Sequence, residues 1–455
     1  MGNQLRAEHR SAVELLQGEF TSLDPQLRIG LAKNTSNLFR FGRSTDIRRL
    51  DVSRFAGVIE VDPVARTADV GGMTTYVELV DATLAHGLMP SVVPQLKTIT
   101  IGGAIAGLGI ESSSYRNGLP HESVLELEVL CGDGEVRIAR PDGEHAELFA
   151  GFPNSYGTLG YTLRCTIELQ QVKPYVKLRH VPATTAEELV ELIEGVCATE
   201  EYAGERVDFV DGTVFTPGCS YLTLGTFTAT APYTSDYTGS KIYYTSIADR
   251  EVDYLTVRDY LWRWDTDWFW CSRALGVQHP LVRALWPRSA LRSDVYRKLV
   301  ALDRRFRLSA TVERLLGKRS EMIIQDVEVP LAALGEFLSF FHREVGIEPI
   351  WLCPLRLRSD RSWPLYPLAP GALYVNVGFW SSAVLPAGAS DGYYNRMIED
   401  KVTELDGHKS LYSTSFYDEE TFAELYNGTA YAELKQRYDP AGRLPGLYAK
   451  CVQGR

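Results

Sequence analysis

The stretch Ser91–Gly118, SVVPQLKTITIGGAIAGLGIESSSYRNG, gathers Gly102, Gly103, Gly107 and Gly109 beside Thr98, Thr100, Ser112, Ser113 and Ser114. Backbone without Cβ atoms can adopt positive φ and turn its N–H groups toward an anion, and the hydroxyls add further donors. The chemistry this suits is the binding of a pyrophosphate, hence of a nucleotide or dinucleotide; tight packing alone is the competing reading. Spacing excludes two standard phosphate motifs. No lysine follows these glycines as G-x-x-x-x-G-K-[ST] requires, and Gly107-Leu108-Gly109 meets Ser112 where G-x-G-x-x-G needs its third glycine. A dinucleotide held here is held by another architecture.

The elements that must position this stretch alternate in period. Residues 8–20 read as an amphipathic helix, and Val58–Asp62 with Thr67–Val70 as a hairpin turning through Pro63. Thr75 and Glu78 form a capping-box pattern opening a helix that Gly87 stops. Leu125, Leu127 and Val129 alternate with Glu126 and Glu128, turn at Gly132-Asp133-Gly134 and resume at Val136, a second hairpin. Gly157-Thr158-Leu159-Gly160 leads into the strand Tyr161–Leu169. Helices and strands mix without regular βαβ alternation, which predicts an α+β fold. Beyond Lys173-Pro174 the texture becomes aromatic, with strands expected at Tyr221–Thr228, Ile242–Thr245, Met322–Val329 and Leu373–Trp380. The segment LWRWDTDWFW, Leu261–Trp270, places Trp264 and Trp268 on one face at helical spacing; it suits a core, an apolar tunnel or an interfacial membrane contact. Helices are expected again at Thr421–Tyr426 and Tyr431–Tyr438.

The chain has 455 residues, 45% of them hydrophobic, enough for two or three domains. Its 47 basic and 58 acidic residues give a net charge of −11, read as spread without long runs, which argues against nucleic acid as a partner. Seven scattered cysteines without a C-x-x-C pair read as reduced thiols in a cytoplasmic protein, and no ligand-spaced His/Cys cluster predicts a metal site. The polar N-terminal stretch carries no secretory h-region, and no apolar run is long enough to span a membrane.

The segments VVPQLKTITIGGAIAGLGIESSSYRNGL, NSYGTLGYTLRCTIEL, KPYVKLRH, QDVEVPLAAL, PIWLCPLRLR and HKSLYSTSFYDEETFAELYNG resemble the vanillyl-alcohol-oxidase (PCMH-type) FAD flavoproteins. The resemblance is strongest to Δ24-sterol reductase-like enzymes and to the bacterial reductase of methylene-branched fatty acyl chains that forms 10-methylstearate (tuberculostearate). It implies a two-lobed FAD-binding domain at 1–175, an α+β substrate (cap) domain at 176–400 and a C-terminal segment, 401–455, closing back onto the first. Carried over residue by residue, Pro94, Thr98, Thr100, Ile101, Gly102, Gly103, Gly107, Gly109, Ser112, Ser113, Gly157, Gly160 and Ile167 would bind FAD. The place of the family's first glycine-rich loop is taken by Ala32 with Lys33, Asn34, Thr35, Ser36 and Asn37, where the lysine and hydroxyls replace amides. That loop holds no histidine to tether the flavin, so the resemblance implies non-covalent FAD.

The implied reaction moves hydride from NADPH through FAD to a carbon–carbon double bond. An isolated alkene accepts hydride poorly, so an acid must supply a proton, and a carboxyl in a dry pocket keeps one near neutral pH. Glu111, directly after the glycine run, is the first candidate and Asp326 in QDVEVP the second. A methylene branch suits this chemistry because its protonation places charge on a tertiary carbon. The expected substrate is a 10-methylene fatty acyl chain in phospholipid, with a sterol side chain as the near alternative. The expected partners are that lipid, the inner face of the membrane, and a methyltransferase that makes the branch. An FAD oxidase of an alcohol or polyol is the alternative from a different class. Gly388-Ala389-Ser390-Asp391-Gly392 matches G-x-S-x-G, but Pro386 interrupts the strand a nucleophile elbow requires.

Overall fold

Alternating apolar residues make Val124–Cys131 and Gly160–Gln171 the central strands of a six-stranded antiparallel sheet. The computed structural model describes residues 2–33, 39–40, 47–306 and 319–454, with only the backbone described at 303–306. The sheet runs in the order Val58–Asp62, Thr67–Gly71, Gly160–Gln171, Val124–Cys131, Val136–Ala139, and Leu88–Pro90 pairs with the end of the long strand. Both expected hairpins are present. Thr75 caps the helix Tyr76–Leu84, accepting the Glu78 N–H, while the Glu78 carboxylate returns to the Thr75 N–H at 2.9 Å, the reciprocal box read from the sequence.

Residues 175–409 supply an eight-stranded antiparallel sheet in the order Val252–Thr256, Tyr175–Ala183, Cys219–Thr228, Phe209–Thr216, Ile350–Leu355, Tyr374–Val384, Ser320–Pro330, His408–Lys409. The helices Ala186–Thr199 and Leu334–Glu344 bury an apolar stripe against one face; Phe341 packs on Phe379 with centroids 4.5 Å apart. Each such fully buried side chain is worth about 1.5–3 kcal/mol, which fixes the sheet's register. The fold class is α+β as expected.

Two local expectations are corrected. Residues 242–245 are not a strand: Tyr243–Ser246 form a single helical turn, with Tyr243 and Tyr244 buried. The tryptophan-dense segment is not one helix either. Helix Val257–Leu261 ends at Trp262, a short 3-10 turn follows at Asp265–Asp267, and Trp268 and Phe269 take positive φ of 47° and 58°. Polar anchors impose this path. Asp211 accepts from Arg263 (2.9 Å) and from the indole N–H groups of Trp264 (3.1 Å) and Trp351 (3.2 Å). Asp265 accepts the Lys97 N–H at 3.0 Å and the Ser293 hydroxyl at 2.6 Å, tying the segment to the glycine-rich stretch. All four tryptophans are buried, so this segment is core and cavity wall rather than an exposed membrane contact.

Candidate functional site

A cavity of about 1210 Å³ lies between the two sheets, walled on one side by residues 94–111 and 156–162 and on the other by Phe269, Asp326, Trp351, Trp380 and Tyr412. The glycine-rich stretch reaches it as a loop leading into the helix Ile101–Gly107, which Thr100 caps by accepting the Gly103 N–H at 3.2 Å. The expected reason for its glycines is corrected here. Gly102, Gly103, Gly107 and Gly109 do not take positive φ; that conformation falls on Leu108, at 65°. Close packing demands them instead. A Cβ on Gly102 would stand 2.7 Å from the Gly72 carbonyl oxygen, and one on Gly107 3.0 Å from the Tyr156 ring.

Of the residues expected to bind a cofactor, Lys33, Pro94, Thr98, Thr100, Gly102, Gly103, Gly107, Gly109, Gly157 and Gly160 line this cavity. Four others lie behind the wall. Ile101 and Ile167 are core residues, the Ser112 hydroxyl is bonded to that of Tyr260 (2.8 Å), and the Ser113 hydroxyl donates to the Ser91 carbonyl (2.9 Å). Asn34, Thr35, Ser36 and Asn37 lie outside the described residues.

One end of the cavity is cationic. Lys33, Arg40 and Lys450 line it, and among the described residues none of the three has a carboxylate partner within ion-pair distance. Lys33 donates to Thr100 Oγ1 at 3.1 Å, and burial lowers its pKa to about 8. Lys450, from the helix Leu447–Cys451, donates to the Tyr156 carbonyl at 2.6 Å. Burial, then the charge of Arg40, brings its pKa down to about 7. The Arg40 guanidinium stacks 4.4 Å over the Tyr156 ring, and its Nη2 is buried with no hydrogen-bond partner. Three half-buried basic groups without a carboxylate partner favour an anion among them. Their charge, the unpartnered Arg40 donor and the hydroxyl at Thr100 fit a pyrophosphate, so the donor set matches FAD.

Another part of the lining is aromatic and acidic. Phe269 packs 4.3 Å from Trp380, whose indole N–H donates to the Tyr412 hydroxyl at 2.8 Å. Asp326 faces the cavity beside Tyr412, and its Oδ1 is buried without a hydrogen-bond partner. Burial pushes its pKa up to about 7, opposed by the neighbouring Asn376 and Tyr412 side chains. Two residues along the same strand, Glu328 accepts from the hydroxyls of Ser410 (3.0 Å) and Tyr366; burial raises its pKa well above the carboxylate range, and Asp326 adds to the shift. Glu111 also lines the cavity. Its Oε1 accepts the Gln95 N–H at 2.7 Å, and burial raises its pKa well above the usual value despite that bond and the Arg263 charge. Sequence reasoning missed Arg40, Tyr156, Lys450, Trp380 and Tyr412. The one local signal for any of them was Tyr156 ahead of the Gly157 turn, where the backbone holds a φ of 51°.

Residues 30–140 match the FAD binding domain family. The chain is 28% identical to the Δ24-sterol reductase of Arabidopsis thaliana, over 91% of its own length and 79% of that protein's. It is likewise 28% identical to a Δ24-sterol reductase homologue of Caenorhabditis elegans (95% and 82% covered). The human Δ24-sterol reductase is 26% identical (95% and 80%). A cytokinin dehydrogenase of Oryza sativa aligns over 110 residues only, at 36% identity, covering 24% of this chain and 21% of that protein. The fold, the cationic cavity end and these relationships agree: the chain is an FAD-dependent oxidoreductase with a PCMH-type FAD-binding domain, related to the Δ24-sterol reductases.

Proposed function

We propose that this enzyme reduces a carbon–carbon double bond in a lipid with NADPH as electron donor, and that its substrate is a 10-methylene fatty acyl chain converted to the 10-methyl form. The carrying observation is Asp326, a carboxyl that lines the cavity with Phe269, Trp351, Trp380 and Tyr412 and that burial pushes up to about 7. FAD, when bound, supplies hydride transfer from reduced nicotinamide to an alkene carbon. Lys33, Arg40 and Lys450, with Thr98, Thr100 and the glycine-lined wall, would hold its pyrophosphate and ribityl parts non-covalently; the described cavity wall offers no histidine or cysteine for a tether.

Asp326 would hold the proton that completes the addition across the double bond. Tyr412 fixes its orientation, and burial keeps it from ionising. Trp351, Trp380 and Phe269 exclude water and offer an apolar surface to an acyl chain. We assign the proton to Asp326 ahead of Glu111 because the Gln95 N–H already occupies the latter's carboxylate. Residues 1–175 serve as the cofactor domain and 176–400 as the cap, with 401–455 closing over the cavity through Ser410, Tyr412 and Lys450. A methylene branch on the substrate also implies a methyltransferase acting before this step.

A second reading, a sterol side-chain alkene, is favoured by similarity over more than nine-tenths of the chain to proteins named Δ24-sterol reductase. One anaerobic experiment tests both. The flavin spectrum of the purified protein should bleach with NADPH and recover when a 10-methylene acyl phospholipid is added; recovery with a Δ24-sterol alone selects the second reading. Bleaching by an alcohol instead, with peroxide formed in air, would overturn both in favour of an oxidase.

A further inference from the structure

Beside the cavity lies a surface built the wrong way round for water. Arg297, Val300 and Ala301 of the helix Ser293–Phe306 line the cavity wall. The preceding helix, Pro280–Leu285, is linked to it through Trp286, whose ring lies 6.4 Å from that of Tyr296. In an ordinary surface helix the apolar side faces inward. Here the buried residue is Arg283, pinned by both oxygens of Asp267 (2.6 and 3.0 Å) and the Gly239 carbonyl (2.6 Å). The leucines point out: Leu281 is 72% exposed, Leu285 87%, and Val282 between them 39%. Leu281 and Leu285 are four residues apart and so share one face. Leu302, on the next helix, is 50% exposed. The other large exposed apolar residues among those described occur singly along the chain.

Charge marks the same segment. Six arginine or lysine residues and one carboxylate, Asp294, fall between Arg273 and Leu302, in a chain whose net charge is −11. The basic residues are therefore less evenly spread than the composition suggests. Arg283 is consumed by Asp267; Arg288 stands 3.7 Å from Asp236 and Lys298 3.9 Å from Asp294, but both stay exposed, as does Arg273. Outward leucines and exposed basic side chains in one stretch of an acidic protein complement an anionic bilayer in both its apolar and its charged parts.

We propose that Leu281, Val282, Leu285 and Leu302, with Arg273, Arg288 and Lys298 of the same stretch, dock the enzyme on an anionic lipid bilayer and set the cavity mouth against it. The leucines enter the acyl boundary while the basic residues meet the headgroup phosphates. The adjoining helix, whose Arg297, Val300 and Ala301 form cavity wall, then gives a lipid a route that avoids open water. That last clause rests on the lipid-reductase reading; the docking itself does not.

The test is co-sedimentation of the full-chain holoenzyme with vesicles of phosphatidylcholine alone and with about 30% phosphatidylglycerol, in low salt and about 0.5 M salt, where screening removes most of the charge attraction. Wild type should pellet with the anionic vesicles, weakly with neutral ones, and be largely released by salt. Leu281→Glu/Leu285→Glu should bind more than about tenfold more weakly, since each leucine contributes on that scale when buried. The variant should keep its flavin spectrum, unfolding temperature and turnover of detergent-dispersed substrate. Equal binding to both vesicle types, unchanged binding by the variant, or no binding to either would overturn the proposal. Vesicle binding lost in the variant, together with no turnover of any alkene, would leave docking standing and sink the reductase reading instead.

Discussion

Replacing Asp326 by Asn removes the proton while keeping the shape of the side chain, and the structure predicts two effects of opposite sign. With a pKa near 7, Asp326 is about half protonated at neutral pH and loses its proton as pH rises further. A positioned general acid contributes typically about 10²–10⁴-fold. Asp326→Asn should therefore slow alkene reduction by that factor, about 3–5.5 kcal/mol of barrier. Reduction of the flavin by NADPH, which uses no proton from this carboxyl, should stay within about threefold of wild type, because the change is isosteric. The wild-type rate of alkene reduction should fall as pH climbs through about 7, and the variant should lose that limb. Stability moves the other way. The folded-state pKa lies above the usual 3.8, so the native state holds the proton more tightly, and wild-type stability declines from pH 4 to pH 7 before levelling. The asparagine pays none of this, so the variant should gain stability across that window, reaching at most about 4 kcal/mol above pH 7, less to the extent that cavity water solvates the carboxylate. Stopped-flow reoxidation of the bleached flavin by substrate, with urea unfolding at pH 5 and 8, reads both. An Asp326→Asn enzyme that reoxidises at the wild-type rate, or keeps the falling limb near pH 7, would refute the assignment; the same loss in Glu111→Gln alone would transfer it to Glu111.

Two further outcomes follow from the cavity. Lys450→Ala should weaken FAD binding by about 10- to 100-fold, the range for loss of a charged hydrogen-bond partner, as read by flavin fluorescence titration. Because burial and Arg40 hold Lys450 near 7, an anion must bring a proton with it above that pH; wild-type affinity for FAD should fall there, and the alanine variant should show less of that dependence. Gly102→Ala should destabilise the protein by about 1–3 kcal/mol, since its Cβ meets the Gly72 carbonyl oxygen at 2.7 Å and neither backbone can yield; thermal unfolding without added FAD separates this from any loss of cofactor.

What could be read in the sequence was what depends on near neighbours. The Thr75–Glu78 box, the hairpins around Pro63 and Gly132–Gly134, and the wall formed by Thr98–Gly109 all rest on residues a few positions apart. The glycines were found for a partly wrong reason: composition signals that backbone must come close to something, without saying whether that is a ligand or Gly72, Thr162 and Tyr156. Arg40 and Lys450 left no local trace, because each is an ordinary basic residue until the fold brings it to Tyr156. The helical face expected for Trp264 and Trp268 failed because Asp211 and Asp265, whose partners lie far along the chain, outweigh local periodicity. Asp326 was visible as a carboxyl within an apolar strand, but its free oxygen and its shift belong to the packed sheet.

The cation cluster also joins the two extremities of the chain. Arg40 touches Cys451, 411 residues further along the chain, and Lys450 sits beside that cysteine. Lys33 and Arg40 come from the first tenth of the chain and Lys450 from its last few residues, so the cationic end is built from both extremities of the sequence. The full set of three charges therefore exists only once residue 450 has been added, and a chain cut short before it lacks one of them.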